Sequence, residues 1–202
     1  MGTNCLAILY DVDGFKNPNT QQKDLRGLNV ASLGGSNCAI ELSDGTCFTA
    51  PFKPTAHVWN GCDANGTTSD PDDLAFMSEH NIQYCMTSSY GTNDYWAGAV
   101  KACHDMGSSL PSQEQLDQLA RDLYPGATIN TGIGLGIIGG SRDNDLAMEW
   151  NFITSPDSGF WLWSSEERSM HFAYRRYFYS THTYRINSYR DDSDCQAVCL
   201  AE

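Results

Sequence analysis

The side chains best able to catalyse a reaction are spread through the chain without a shared pattern. The acidic pair Glu166 and Glu167 has the composition that glycoside hydrolysis uses. Because neighbouring residues of a strand point to opposite faces of a sheet, we expect one of the two to hold Arg168 or Arg176 in a salt bridge. The five histidines are scattered and form no catalytic constellation: His57, His80, His104, His171 and His182.

An apolar run near the beginning of the chain ends in Asp-x-Asp-Gly, at Asp11 and Asp13. This pattern resembles the nucleophile motif of haloacid-dehalogenase-type phosphatases. The resemblance implies that the first aspartate attacks phosphorus, that the second is the acid/base, and that magnesium lies between them. The residues after Gly14 do not continue that family's pattern, and residues 15–90 offer little support for alternating strands and helices. We therefore prefer a turn in which an aspartate accepts backbone N–H groups.

Two further polar stretches suggest ligands only weakly. Gly132-Ile133-Gly134 lacks the third glycine of a dinucleotide fingerprint, and no Gly-Lys-Ser/Thr follows, so we expect strand edges or a surface loop within residues 126–159. The run Asp143, Asn144 and Asp145 could hold calcium, but acidic turns are usually only solvated. We predict neither a metal nor a cofactor.

Eight cysteines in 202 residues favour disulfides in an oxidising compartment. No two have Cys-x-x-Cys spacing and no histidine cluster accompanies them, so we do not expect zinc. Cys38 and Cys47 flank a hairpin, and Cys62 and Cys85 bracket a turn-rich excursion, so we expect these two bonds.

Length and charge restrict the classes of partner. With 41% hydrophobic residues, the chain can form one domain, or a small module joined to a domain of about 150 residues. A formal net charge of −13 argues against duplex DNA and against an anionic membrane, since both need a basic surface.

No signal peptide and no run of about twenty apolar residues occurs. Because an exported protein needs one or the other, we expect that an export segment preceding Met1 has been removed.

The stretch from Phe160 to Leu200 has the composition of a recognition surface. It holds ten aromatic residues and five of the eight arginines, but no lysine. Tyrosine gives a large contact area with two rotatable bonds, and arginine adds a planar fork of donors. A twisted sheet with cross-strand aromatic pairs and solvated arginines is the structural alternative. For the cluster as a whole, we favour binding.

Local signals predict the elements that would hold this stretch. Asp44-Gly45 predicts a hairpin turn, and Pro51 and Pro54 indicate a boundary near residue 55. Residues 73–80 could form a short helix. Asn93 or Asp94 can cap a helix that Gly107 ends. Ser112 and Gln115 form a capping box, and Leu116, Leu119 and Leu123 lie on one face of the following helix. Two helices followed by strands predict an α+β domain.

Three motifs resemble a C-type lectin-like domain: residues 96–103 with Cys103, the Leu110-Pro111-Ser112 start of a second helix, and the final Ala197-Val198-Cys199-Leu200. The resemblance implies that the helix cysteine pairs with the last-strand cysteine, as Cys103–Cys199. The chain-entropy model gives such a bond about 4–5 kcal/mol of stabilisation. The Glu-Pro-Asn, Gln-Pro-Asp and Trp-Asn-Asp triplets of calcium-dependent sugar binding do not occur.

The motifs at 161–167, 173–178 and 196–200 are similar to variable proteins of diversity-generating retroelements, and residues 5–16 to their pilin-like members in gut bacteria. The resemblance implies ligand-binding positions that mutagenic reverse transcription diversifies, interleaved with scaffold residues. The implied scaffold positions are Ala173, Arg176, Phe178, Thr183, Gln196 and Val198. The implied variable positions are His171, Arg175, Tyr179, His182, Tyr184, Arg185, Ile186, Asn187, Ser188, Tyr189, Asp191, Asp192, Asp194 and Cys195.

We therefore predict a β-rich, pilin-like part over residues 1–56 and a C-type lectin-like display domain over residues 57–202. The protein would be non-catalytic and extracellular or at the bacterial cell surface, and would bind a macromolecular or cell-surface ligand through residues 171–195. It would bind no nucleic acid and, in this fragment, no membrane. The alternative is a pilus subunit or adhesin of fixed specificity, packed against other subunits. Cys195 is either bonded to Cys5 or a product of diversification.

Overall fold

The computed structural model describes residues 38–87, 91–134 and 136–201, and Cys38–Glu202 forms one compact unit. This part of the chain is a mixed α+β structure, as the sequence predicts. Its helices are α1 (Pro71–His80), α2 (Tyr95–Asp105), α3 (Gln113–Leu123) and α4 (Asn144–Glu149). Within the described ranges, no helix has the length and apolarity that a membrane span requires.

Capping side chains determine where the helices begin. The carboxylate of Asp94 accepts the amide N–H of Ala97 at 2.9 Å, which starts α2. Ser112 and Gln115 form both hydrogen bonds of a capping box at the start of α3. Both caps are confirmed. They explain why the helices start directly after extended segments.

Ten strands form four antiparallel sheets in the described residues. The largest sheet has the order β7–β8–β9, with Phe160 opposite Phe178 and Phe178 opposite Thr183. The smaller sheets have the orders β1–β2–β10, β3–β4 and β5–β6. The strands are β1 (Ile40–Glu41), β2 (Cys47–Phe48), β3 (His57–Val58), β4 (Asn93–Asp94), β5 (Thr128–Ile129), β6 (Ile137–Ile138), β7 (Phe160–Glu167), β8 (Phe172–Phe178), β9 (Thr183–Tyr189) and β10 (Leu200–Ala201).

Both faces of β7 are buried, which places this strand between two hydrophobic clusters. Leu162 packs in one cluster with the apolar face of α3, including Leu119. Trp163, which points the other way, packs in the second cluster with Trp96 of α2. Full burial of a side chain of this size contributes about 1.5–3 kcal/mol. The main sheet is therefore fixed from both sides at β7.

Three disulfides cross-link the compact unit, with S–S distances of 2.00–2.02 Å. The bond between α2 and the residue before β10 spans 96 residues, and loop closure of that length stabilises by about 4–5 kcal/mol in the chain-entropy model. The bonded pairs are the three that the sequence analysis expected: Cys38–Cys47, Cys62–Cys85 and Cys103–Cys199.

Residues 38–56 pair with the end of the chain. Strand β2 lies between β1 and β10, with Phe48 opposite Leu200, and Phe52 forms a further bridge to Ala197. The sequence analysis assigned residues 38–56 to the N-terminal part because Pro51 and Pro54 interrupt the local pattern. The structure instead includes them in the compact unit, because β2 supplies the partner for the last strand.

Helix α4 was not predicted. The carboxylate of Asp143 caps it by accepting the amide N–H of Leu146 at 3.0 Å, and Asn144 accepts a hydrogen bond from Arg142 at 3.0 Å. These polar residues, considered above as a calcium loop or a solvated turn, therefore serve as a cap and as an anchor for a buried arginine.

We expect Gly98→Ala to lower the free energy of unfolding by about 2–3 kcal/mol or more. A methyl group at Gly98 would lie 1.8 Å from the carbonyl oxygen of Thr55. The variant can therefore fold only if α2 moves away from the segment around Thr55. Chemical denaturation measures the change. Gly136→Ala is the control, because the nearest atom to its added carbon is the Thr183 carbonyl oxygen at 3.8 Å. Equal stability of both variants would contradict the close packing.

Candidate functional site

Five aromatic rings form a continuous cluster on one face of the main sheet, and we call it the aromatic patch. The register places Trp161 opposite Tyr177, and Tyr177 opposite Tyr184, so these three side chains share a face. Tyr179 and His182 extend the cluster into the turn between β8 and β9. All five side chains are half-buried, each with part of its ring exposed.

The rings of the aromatic patch contact one another directly. Trp161 stacks on Tyr177 with ring centroids 3.8 Å apart, and Tyr177 meets Tyr184 edge-on at 5.4 Å. His182 stacks against Tyr184 at 5.8 Å. Gly159 lies beneath the patch, where an added Cβ would be 2.7 Å from the Tyr177 hydroxyl. This glycine allows the backbone to approach the rings closely.

Buried polar groups hold the turn that carries Tyr179 and His182. The hydroxyl of Tyr124, at the end of α3, donates to the carbonyl of Tyr179, and the carbonyl of His182 lies 3.1 Å away. Arg142 donates to the carbonyl of Phe178 at 3.2 Å. The turn is therefore attached to the interior at both sides, while its aromatic side chains remain at the surface.

Arg175 joins the aromatic patch to the segment that follows β9. Its guanidinium lies 3.8 Å from the ring centroid of Trp161 and forms an ion pair with Asp192. It also donates to the sulfur of Cys195 at 3.0 Å. These contacts give Arg175 a structural role in addition to the surface role that the sequence predicts.

On the opposite face of the sheet, two arginines converge on one carboxylate. Asp117 of α3 is buried and forms ion pairs with both Arg176 and Arg185. Arg176 is also buried and donates to the hydroxyl of Thr183 at 2.8 Å. Arg185 was predicted to bind ligand, but its Nε donates to Asp117 at 2.9 Å. This half-buried side chain therefore also ties β9 to α3.

Arg190 is fully buried, although it belongs to the arginine-rich stretch whose composition is that of a recognition surface. It forms ion pairs with Asp94 and with Glu167, and its guanidinium stacks 4.6 Å from the ring centroid of Trp96. Burial raises the pKa of Glu167, although the charge of Arg190 acts in the opposite direction. The acidic residue thus holds Arg190, and not Arg168 or Arg176 as expected.

The other predicted ligand-binding positions differ in exposure. Tyr189, Asp191 and Asp194 are exposed, whereas Ser188 and Cys195 are buried and lie outside the accessible surface because they point into the compact unit. The half-buried remainder outside the aromatic patch is His171, Arg175, Arg185, Ile186, Asn187 and Asp192.

Cys195 is a free thiol among the described residues, and Cys5, its expected partner in one of the two alternatives, lies outside them. Burial raises the pKa of this thiol to about 12, although Arg175 acts in the opposite direction. The thiol is therefore protonated at neutral pH, which favours a packing role over nucleophilic reactivity.

Among the described residues, no arrangement of side chains supports the catalytic alternatives. Glu166 accepts the amide N–H of Gln113 at 2.9 Å, so it anchors α3. Asp11 and Asp13 lie outside the described residues. One cluster was missed: His80 and His104, scattered in sequence, have ring centroids 4.7 Å apart. They lie on different helices 24 positions apart, a spacing that no local motif would reveal.

We expect Asp117→Asn to lower the free energy of unfolding by about 3–5 kcal/mol, because it leaves the buried Arg176 guanidinium without its counter-charge. Urea denaturation measures this change. The matched control is Asp122→Asn on the same helix, where the half-buried carboxylate accepts a hydrogen bond from Ser43 and the expected loss is about 1 kcal/mol or less. Similar losses for both variants would refute a special role for Asp117.

Comparison with known proteins provides no relative from which a function could be transferred. No protein-family model, curated protein or solved structure matches the chain. The contacts of the aromatic patch and of the arginines beneath it are therefore the basis on which a function is assigned.

Proposed function

We propose that the chain is a non-catalytic binding protein displayed outside a bacterial cell, with a C-type lectin-like domain. Its surface at about residues 171–195 recognises a macromolecular or cell-surface ligand, and a retroelement diversifies that surface. The observation that carries the proposal is the aromatic patch, with five touching rings on the main sheet of a unit that three disulfides cross-link.

The chemistry of the aromatic patch suits binding. Tyrosine and tryptophan are enriched among the residues that dominate binding energy at interfaces. Stacking between Trp161, Tyr177 and Tyr184 limits the rotamers of these rings before a ligand arrives. Pre-ordering of this kind lowers the entropic cost of association. The exposed part of each ring leaves apolar surface for a partner, and the hydroxyl groups can supply hydrogen bonds.

The arrangement of the cross-links supports a C-type lectin-like domain. The bond from α2 reaches Cys199, directly before the last strand, which is the pairing that the resemblance implies. The last strand then pairs with β2 near the beginning of the compact unit. Two successive helices with capped starts precede the main sheet. These features agree with the motifs that suggested the family.

The pattern of burial supports diversification at selected positions. Twelve of the fourteen implied variable positions are exposed or half-buried. Of the six implied scaffold positions, five are buried: Ala173, Arg176, Phe178, Thr183 and Val198. Substitution of accessible side chains usually changes stability little, so these positions could vary while the buried scaffold side chains remain packed.

A fixed-specificity pilus subunit or adhesin is the second candidate. The same aromatic patch would suit it, because half-exposed rings can also pack against a neighbouring subunit. The two candidates differ in which substitutions evolution tolerates, and in whether a reverse transcriptase accompanies the gene.

Sequencing of sibling genes tests the diversification. We expect substitutions to concentrate at accessible positions such as Tyr179, His182 and Tyr184, whereas Arg176 and Asp117 stay unchanged. A reverse transcriptase gene and a near-copy of the 3′ end should lie beside the gene. Substitutions scattered evenly over residues 38–201, with no such neighbour, would contradict the proposal and favour the fixed subunit.

A binding assay tests the aromatic patch itself. We expect Tyr184→Ala to weaken binding to the cognate partner by about thirtyfold, as at an interface hot spot. The partner is sought with a panel of intact bacterial cells and purified extracellular proteins. Tyr174→Ala is the matched control, because Tyr174 lies on the same sheet but on the opposite face. Equal loss in both variants, or loss with Tyr174→Ala alone, would refute the assignment.

A further inference from the structure

The last turns of α1 and α2 converge beside a cleft, and three metal-binding side chains meet there. His80 ends α1, and His104 lies in the last turn of α2, with the two ring centroids 4.7 Å apart. The Oε1 atom of Glu79 is 3.9 Å from Nδ1 of His104. One ligand atom from each of the three residues lies within 4.8 Å of the other two.

We propose that Glu79, His80 and His104 bind a divalent transition-metal ion of the zinc class. Two imidazole nitrogens and one carboxylate oxygen form a donor set typical of zinc sites in which the protein supplies three ligands. Calcium and magnesium prefer oxygen ligands alone, so two imidazoles disfavour them. The site shares no residue with the aromatic patch, so it can be tested independently of the proposed binding function.

His80 supplies the fixed ligand. The residue is only 9% exposed, and its Nδ1 atom is buried with no hydrogen-bond partner among the residues that the structure describes. Phe76 holds the imidazole edge-on, with ring centroids 4.3 Å apart. A buried polar atom without a partner is unfavourable. A metal ion at this cluster would give the imidazole the polar partner that it lacks.

The other two ligands can adjust to a metal ion. The side chains of His104 and Glu79 are 48% and 61% exposed, so few neighbours restrict their rotamers. Metal bonds of about 2.0–2.2 Å in a tetrahedral site require ligand atoms to be about 3.4 Å apart. Closing the present separations to that value needs a shift of about an ångström, which exposed side chains make without backbone movement.

The surrounding charges favour a cation at this position. The C-terminus of a helix carries partial negative charge, and the C-termini of both α1 and α2 lie here. Lys101, whose charge acts on His80, forms an ion pair with Asp105 one turn further along α2, so its positive charge is locally balanced. The negative charge of Glu79 therefore remains available to the metal.

The adjoining cleft suggests what would complete the coordination. It has a volume of about 730 Å³, and both histidines line its wall together with Trp96 and Glu167. An ion held by three protein ligands keeps a fourth position for water or for a small ligand. A molecule with an oxygen or nitrogen donor that enters the cleft could therefore reach the metal.

Titration of the full chain with Zn²⁺ tests the site, with every polyhistidine tag removed and the disulfides kept oxidised. We expect saturable binding of one ion per chain by calorimetry, a rise in the unfolding temperature with Zn²⁺, and none with Mg²⁺. His104→Ala should weaken Zn²⁺ binding at least about tenfold and abolish the thermal shift. Glu79→Gln should act in the same direction.

Asp72→Asn is the matched control, because it removes an exposed carboxylate from the first turn of α1, at the end of the helix opposite the proposed ligands. It should leave the zinc affinity within about twofold and retain the thermal shift. Because Glu79 and His104 are exposed, the metal-free variants should unfold at the wild-type temperature, which separates lost binding from lost folding. No one-to-one binding by the wild type, or unchanged affinity in His104→Ala, would overturn the proposal.

Discussion

The burial of one positive charge, that of Arg190, constrains much of the compact unit. An isolated charge in the interior is strongly unfavourable, so the guanidinium must be paired and hydrogen-bonded. Asp94 and Glu167 supply the carboxylates, and the carbonyl of Tyr84 accepts a further hydrogen bond at 2.9 Å. Arg190 thereby joins the end of β9 to the start of α2, the end of β7 and the segment after α1. These four separate parts of the chain must assemble around Arg190 before its buried charge is fully paired.

The same carboxylates have second tasks, which explains how the network is held in register. Asp94 caps α2 through Ala97 and accepts the indole N–H of Trp59 at 2.8 Å. The backbone carbonyl of Arg190 in turn accepts the amide N–H of Tyr95 at 2.8 Å. A second network is centred on Asp117, which forms ion pairs in the middle of β8 and β9. It holds that part of the sheet in place as Asp94 holds the end of β9. The sheet that carries the aromatic patch is therefore positioned by buried ion pairs as well as by apolar packing.

Sequence reasoning succeeded where the physical signal is local. The caps of α2 and α3 depend on residues three positions apart, and the two short disulfide loops follow from turn-rich segments between cysteines. It failed where the partner is distant. Arg190 pairs with a carboxylate 96 positions away, and Arg176 pairs with one 59 positions away. No residue near either arginine in the sequence indicates this pairing, so each arginine is equally compatible with a solvated position on a sheet. Helix α4 was missed because six residues are too few for an apolar period to show.

The long disulfide has a consequence for the resistance of the molecule to proteolysis. Cys103 and Cys199 enclose α3, α4 and the whole main sheet in one covalent ring. A protease that cuts once within this ring, for example at the exposed Pro156 or Asp157, severs the chain without releasing a fragment. Both pieces stay tethered through sulfur, and the apolar packing on either side of β7 keeps them in place. A nicked molecule of this kind would keep the five rings of the aromatic patch in place at its surface.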